Sequence, residues 1–433
     1  MERLILHSDI NSCYANIERL YHPELSNCAV AVAGSPEKRH GIILAKDEKC
    51  KSRGVKTGMA IWQAQKLCPD MVVLPPRMDI YAEFASKVRL IYADYTDICE
   101  DFGLDESWLD LTGCARDGEK VAQEIRTRIK EELGVTVSIG VSWNKVFAKL
   151  GSDYKKPDAV TVISRDTYRQ LVWPLPVQEL LYVGRSTSAS LCGIGVSTIG
   201  AIANADPALL RRKLGKAGDM LHAFANGNDC SPVRRRAAMP QIKSVGNGTT
   251  TPRDMSADID VWTTLMALCE SVGMRLREKH LMGSVIELGL RNTNLEWVSH
   301  QIKLRSPTDV TKEILDTAFM LFRQAGSPLP LRSISVRCTQ LVCSDMPEQM
   351  DLFCDHAERD RLKRLDTAMD NIRRKYGYNS LKRGTLEADA DMGGLNAKEE
   401  HTVHPMSFLN GYGMADIIGK NKSEEAIELP HTM

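Results

Sequence analysis

The chain lacks a CxxC pair and any paired CxxC…CxxC spacing. Its twelve cysteines lie singly, with no Cys/His zinc pattern, which points to reduced thiols in a cytosolic protein. No N-terminal signal pattern is present, because polar Glu2, Arg3, His7 and Asp9 interrupt the first residues. No apolar run approaches the ~20 residues of a membrane span, so no membrane is expected. Net charge is also missing: Lys+Arg and Asp+Glu each number 56, and the balance says nothing about a polyanionic partner. What is present is ordinary globular material, 43% hydrophobic and 26% charged over 433 residues, enough for two to four domains. The charge is unevenly spread, with basic clusters at Arg211-Arg212-Lys213, Arg234-Arg235-Arg236 and Arg361 to Arg364 and an acidic lean in the last fifty residues.

Two short acidic clusters stand out. One is Leu4-Ile5-Leu6-His7-Ser8-Asp9-Ile10-Asn11, the other Phe102-Gly103-Leu104-Asp105-Glu106-Ser107-Trp108-Leu109-Asp110. Each places a carboxylate at or near the end of an apolar run that reads as a buried strand, where an unpaired charge is costly or neutralises. A divalent cation shared by Asp9, Asp105 and Glu106 removes that objection. Hard oxygen ligands of this kind suit Mg²⁺, which also recruits substrate phosphates.

Periodicity organises the rest. Leu4 to Asp9 reads as a strand and Ser12 to Leu20 as a helix; residues 30–75 form a compact α/β insert with strands at Ala29–Ala33 and Gly41–Ala45. Residues 79–97 form an amphipathic helix, with Ile80, Phe84, Val88 and Ile91 on one face. A hairpin from Ile98 to Leu111 carries Asp105-Glu106 at its turn; a helix at 118–133 and a strand at 135–140 follow. The mixture implies an α+β layer with an antiparallel sheet. Between Pro174 and Asn228, short glycine-separated helices suggest helix-hairpin-helix elements that contact a DNA backbone or are purely structural. After a basic linker, residues 243–341 read βαββαβ, a split βαβ unit. The polar, basic face of its sheet either lies against a nucleic-acid backbone or is simply solvated. A helix is expected from Ala357 to Tyr376, and the Gly/Asp/Glu-rich segment beyond it is left without structure.

Over roughly its first 340 residues the chain resembles the Y-family translesion DNA polymerases, in the bacterial DNA polymerase IV branch. The resemblance lies in Asp9 to Glu18, in Leu104-Asp105-Glu106-Ser107-Trp108-Leu109-Asp110 and, most specifically, in the stretch from Ser138 to Pro157. It implies a right-hand, α+β multidomain fold: an antiparallel-sheet palm (1–28 and 76–165), small fingers (29–75), a helix-hairpin-helix thumb (166–230), a linker (231–242), a βαββαβ little finger (243–345) and a tail (346–433). It implies two Mg²⁺ ions held by Asp9, Asp105, Glu106 and the carbonyl of Ile10. Tyr14 stands at the steric-gate position, where the bland alternative is a core-packed helix aromatic. Lys156 matches the lysine that reaches the incoming dNTP. The implied activity is error-prone, template-directed DNA synthesis on primer-template DNA, by a monomer in the bacterial cytoplasm associated with the nucleoid. Two alternatives are a weakly active or non-catalytic DNA- and clamp-binding paralogue and a nucleotidyl cyclase sharing the palm acids.

The fingers depart from the family pattern. Ala45, Glu48 and Lys51 stand where the family commonly carries Thr, Tyr and Arg, and Lys51 lacks the bidentate fork of arginine. Weak nucleotide binding is the expectation, with Lys46 or Lys49 as compensating charges. In the tail, Gln349-Met350-Asp351-Leu352-Phe353 is similar to a sliding-clamp-binding pentapeptide. Gln349 would enter a polar pocket of the β clamp, and Leu352 and Phe353 an apolar one.

Overall fold

The computed structural model describes residues 2–35, 41–235, 242–326, 329–345 and 356–394. The strand Ile5–Ile10 is buried along its whole length, so it can only be the centre of a sheet covered on both faces. It pairs antiparallel with Glu106–Asp110 on one side and Val137–Ser142 on the other. Cys99–Asp101 and Val160–Val162 complete a five-stranded sheet as its edges. The last strand, which periodicity did not reveal, pairs parallel with Val137–Ser142 at one edge of the otherwise antiparallel sheet.

One face of this sheet packs Leu6, Ile10 and Leu109 against helices Cys13–Tyr21, Met78–Ala93 and Gly118–Leu133 through Ile17, Tyr81, Val88, Val121 and Ile125. The opposite face carries helix Lys145–Tyr154. Asn144 caps that helix, its side-chain oxygen accepting from Phe147 N at 2.8 Å. Gly140 explains how closely the helix lies on its strand. A Cβ there would sit 1.9 Å from the Ala148 carbonyl oxygen and 2.5 Å from Ser152 N, so any side chain would push the helix away.

Residues 30–74 form a separate three-stranded sheet. Val30–Ala33 is central, antiparallel to Ile43–Lys46 and parallel to Val72–Leu74. The glycine-rich region folds as four short helices, Arg185–Cys192, Ile199–Asn204, Pro207–Leu214 and Lys216–Ala225. They share one core with Ile5, Trp108, Val146 and Phe147, so this unit and the five-stranded sheet are joined by apolar packing. Arg211, Arg212 and Lys213 occupy the last turn of their helix, where the helix dipole favours cations. Ser231 to Arg235, which composition suggests is the start of a linker, begins bound. Arg3 Nη2 donates to Ser231 O at 2.7 Å, and Arg234 N donates to Glu100 Oε2 at 2.8 Å.

The βαββαβ order expected for residues 243–341 is present: Ser244–Met255, Asp258–Glu278, Leu281–Asn292, Trp297–Thr308, Thr311–Ala325 and Leu331–Cys343. The four strands form one antiparallel sheet in the order Trp297–Thr308, Leu281–Asn292, Leu331–Cys343, Ser244–Met255. Ile286, Leu288, Leu290, Ile334 and Val336 bury one face under the two helices. Beyond it, His356–Tyr376 is helical as expected. Up to residue 394 the segment after that helix departs from the expectation of no structure, since Gly384–Ala388 and Ala390–Gly393 are helical and Leu386 and Met392 are buried; the rest of the expected structureless end lies outside the described residues. Charge pairing holds this strap down, since Glu270, nearly inaccessible, accepts from Arg373 at 2.8 Å and Arg383 at 2.7 Å.

Candidate active site

Strand register brings the acidic clusters together. Asp9 is directly opposite Glu106 in the antiparallel pair, and Ile10 N donates to the Asp105 carbonyl at 3.0 Å. Glu106 therefore begins a strand instead of sitting in the turn, and Asp105 is the last residue of the turn. After Asn11 the chain reverses through Ser12, whose left-handed backbone (φ 46°) starts the Cys13–Tyr21 helix beside the strand end. A cleft of ≈ 360 Å³ opens there, lined by Asp9, Tyr14 and Asp105 from the large sheet unit and by Lys46, Glu48 and Lys51 from the small one. Ile10, Ala45, Thr57 and Lys156 line it too.

The site is electrostatically loaded. Burial raises the Asp9 carboxyl to about 6; Lys156 opposes the shift and Glu106 adds to it. Burial, then the charges of Asp9 and Glu106, raise Asp105 to about 6. Two lysines answer these charges from one face of helix Lys145–Tyr154 and the residues after it. Lys156 Nζ lies 2.7 Å from Asp9 Oδ2 and 2.7 Å from Asp153 Oδ1. Lys149 Nζ lies 2.6 Å from Glu106 Oε2. Against the cost of burial, Asp9 and Asp153 hold the Lys156 ammonium protonated.

Beneath them sits His7, fully buried. Ser152 Oγ donates to Lys149 O at 2.7 Å, so it must accept from His7 Nδ1, 2.8 Å away, which fixes the tautomer. Burial, then Lys149, drive the imidazole well below its usual pKa. His7 Nε2, 3.4 Å from Glu106 Oε2, is thus a bare lone pair and neither an ion-pair partner nor a hydrogen-bond donor.

These groups suit a hard divalent cation by donor type and charge. Buried carboxylates that raise one another's pKa are what such an ion relieves. Among the described residues no three His, Cys, Asp or Glu side chains already converge as a ligand cluster.

Tyr14 stacks on Tyr81, ring centroids 4.4 Å apart and planes 9° from parallel. Tyr81 OH donates to Glu18 Oε1 at 2.5 Å, and Arg77 pairs with the same carboxylate. Burial, then Asp105, push the Tyr14 phenol up to about 12, so it stays neutral. On the opposite wall Lys51 lies 3.4 Å from Glu48 Oε1, and Lys46 Nζ donates to Thr57 Oγ1 at 3.1 Å. Lys49 turns away and donates to Asn27 O at 2.7 Å, so of the two compensating charges only Lys46 reaches the cleft. Gln349, Leu352 and Phe353 lie outside the described residues. Residue reasoning singled out neither Lys149 nor Asp153. Their i, i+4 spacing within helix Lys145–Tyr154 was the available signal.

A family model described as the impB/mucB/samB family matches residues 8–153, and that of its C-terminal domain matches residues 242–352. DNA polymerase IV of Acetivibrio thermocellus is 47% identical over 400 residues, covering 92% of this chain and all of that protein. DNA polymerase IV 1 of Bacillus subtilis is 35% identical over 385 residues, covering 88% of this chain and 92% of that one. A solved Y-family DNA polymerase chimera superposes with a TM-score of 0.70 at 21% identity, covering 78% of this chain and 99% of its own, a likeness of fold. With both family models matched in chain order and near-complete coverage of these relatives, the chain belongs to the Y-family DNA polymerases of the impB/mucB/samB family, in its DNA polymerase IV branch.

Proposed function

We propose that the cleft is where a dNTP is joined to a primer 3′-hydroxyl, with Asp9, Asp105, Glu106 and the Ile10 carbonyl as ligands for two Mg²⁺ ions. The observation that carries this reading is the register of Asp9 against Glu106, with the Asp105 peptide bonded to Ile10 at the mouth of one cleft. The chain is a DNA-directed DNA polymerase of the translesion class, a metal-dependent nucleotidyltransferase acting on primer-template DNA and dNTP. In its reaction the primer 3′-oxygen bonds to the α-phosphorus, the bond from that phosphorus to the α–β bridging oxygen breaks, and pyrophosphate leaves with the electron pair. Bound divalent ions supply a lowered pKa at the 3′-hydroxyl and charge neutralisation at the triphosphate.

The protein's own groups do the positioning. Lys156, kept charged and held by Asp153, is placed to donate to the triphosphate. Lys46 and Lys51 offer charge on the facing wall, although Glu48 subtracts from it. The Tyr14 ring, braced flat on Tyr81, is a rigid surface for excluding a ribose 2′-hydroxyl.

In this reading residues 1–28 and 76–165 are the palm, 29–75 the fingers, 166–230 the thumb and 243–345 the little finger. Gln349 to Phe353 is the segment that engages a sliding clamp. A monomer acting on the nucleoid in the cytoplasm fits such a role.

Primer extension with Mg²⁺ on undamaged and abasic templates tests the site, with Asp9→Ala alongside. We expect metal-dependent extension on both templates and none from the variant. Undiminished extension by Asp9→Ala would end the assignment.

A further inference from the structure

The turn that delivers Asp105 is not self-supporting. It runs from Phe102 to Asp105 between strands Cys99–Asp101 and Glu106–Asp110, passing through Gly103 at φ 92°, where only glycine sits without strain. Its closing hydrogen bond, from Phe102 N to Glu106 O at 2.9 Å, leaves the carbonyls of Gly103 and Leu104 without a strand partner. Arg89, on helix Met78–Ala93, supplies one. Its Nη2 donates to both Gly103 O and Leu104 O at 3.2 Å. Its Nε sits 2.9 Å from Asp101 Oδ1, an ion pair whose N–H is not aligned as a hydrogen bond. The guanidinium is mostly buried, with 12% of its side chain exposed, so the contacts are shielded from water. Asp101 in turn accepts from Ser107 Oγ at 3.4 Å, which links the brace to the strand that begins at Glu106.

We propose that Arg89 is a positioning residue for the metal-binding acids. It clamps the Gly103–Leu104 backbone and so fixes where the Asp105 carboxylate points. The inference rests on the assignment of Asp105 as a metal ligand. Arg89 does not line the cleft and contacts the turn at the Gly103 and Leu104 carbonyls, so it acts on Asp105 through the backbone. A planar fork bridges two carbonyls and a carboxylate, whereas an ammonium satisfies fewer of them and leaves a buried carbonyl unpaired.

The test compares wild type, Arg89→Ala, Arg89→Lys and Asp105→Asn in the full-length chain. The readouts are single-nucleotide kcat and KM, the Mg²⁺ concentration at half-maximal rate, Mn²⁺ binding to the protein–DNA complex by titration, and thermal stability. Loss of a group that orients a metal ligand costs about ten- to a hundred-fold in activity or metal affinity. Arg89→Ala is therefore expected to lose about that much kcat and to weaken Mn²⁺ binding, with KM for dNTP within about two-fold. Arg89→Lys recovers part of both, and added guanidinium ion restores part of the Arg89→Ala rate. Wild-type kcat and metal affinity in Arg89→Ala would overturn the proposal, as would a loss that only parallels lowered stability and is not rescued. The Asp105→Asn arm separates the two claims. If that variant keeps its synthesis, the site assignment fails; if it is inactive while Arg89→Ala is normal, only the positioning role fails.

Discussion

Asp105→Asn should make the metal-free protein more stable while removing its activity. In the unfolded chain this carboxyl titrates near 3.8; in the folded protein burial and the charges of Asp9 and Glu106 raise it to about 6. Between those values the native state keeps a proton that the unfolded chain has released. Wild type thus loses stability as pH rises through the window from about 4 to about 6 and carries the full deficit above it. At ~1.4 kcal/mol per pKa unit the deficit has an upper limit of about 3 kcal/mol. Asp105 lies on an open cleft and is coupled to Asp9, so solvent screening reduces the expected gain to about 1–2 kcal/mol. Asparagine preserves the shape and removes the charge. Urea unfolding at pH 4 and pH 8 in EDTA reads the difference directly. The two proteins should be nearly equal at pH 4 and the variant more stable at pH 8. Millimolar Mg²⁺ should then stabilise wild type more than the variant, because binding to the native state adds RT ln(1 + [L]/Kd). An equal or lower stability of Asp105→Asn at pH 8 would refute the electrostatic account of this site.

Three further outcomes follow from particular contacts. Glu48→Gln removes an exposed negative charge from the wall that carries Lys46 and Lys51, and should lower KM for dNTP about two- to five-fold at low salt; an unchanged KM in single-nucleotide kinetics would count against a triphosphate lying there. Glu270→Ala removes the carboxylate that Arg373 and Arg383 share, leaving Arg383 with Asp366 and Arg373 with the Leu381 carbonyl, and should cost about 1–3 kcal/mol, with faster proteolysis after residue 376; an unaltered cleavage pattern and urea midpoint would show that the strap is held by other contacts. Deleting residues 349–353 should abolish stimulation by a sliding clamp and leave distributive synthesis intact, and unchanged stimulation would end the clamp assignment.

What the sequence disclosed was whatever a local pattern encodes. The Leu281–Asn292 and Leu331–Cys343 strands alternate cleanly because one face is buried under helices and the other is open, so the βαββαβ unit was legible residue by residue. Ile5–Ile10 was legible for the opposite reason, an apolar run with a misplaced carboxylate. Val160–Val162 was not, because three residues at the edge of a sheet are too few to show a period. The strap after Tyr376 failed differently. Its hold on the rest of the chain combines buried Leu386 and Met392 with the ion pairs of Arg383 to Glu270 and Asp389 to Arg253, and pairs more than a hundred residues apart have no period to detect.

The same distinction separates the carboxylates from their counter-charges. Asp9, Asp105 and Glu106 announce themselves because acids are costly in strands. Lys149 does not, because a lysine on a helix is unremarkable until the strands beneath are known, and Lys156 stands out only through the family motif it closes. Lys46 and Lys49 make the point most sharply. Composition offered either as a replacement charge for the nucleotide wall. The choice falls out of geometry: Lys46 ends strand Ile43–Lys46 and reaches Thr57 beside the cleft, whereas Lys49, one residue into the Glu48–Ser52 helix, is turned onto the Asn27 carbonyl. In the proposed reading, a wall built from Lys46, Lys51 and Thr57 in place of a tyrosine and an arginine would still present donors to a triphosphate. It would do so with point charges that water competes for more effectively than it does for an arginine fork. The nucleotide grip should accordingly be more salt-sensitive than the proposed metal site, where Asp9 is buried and Asp105 and Glu106 are half-buried.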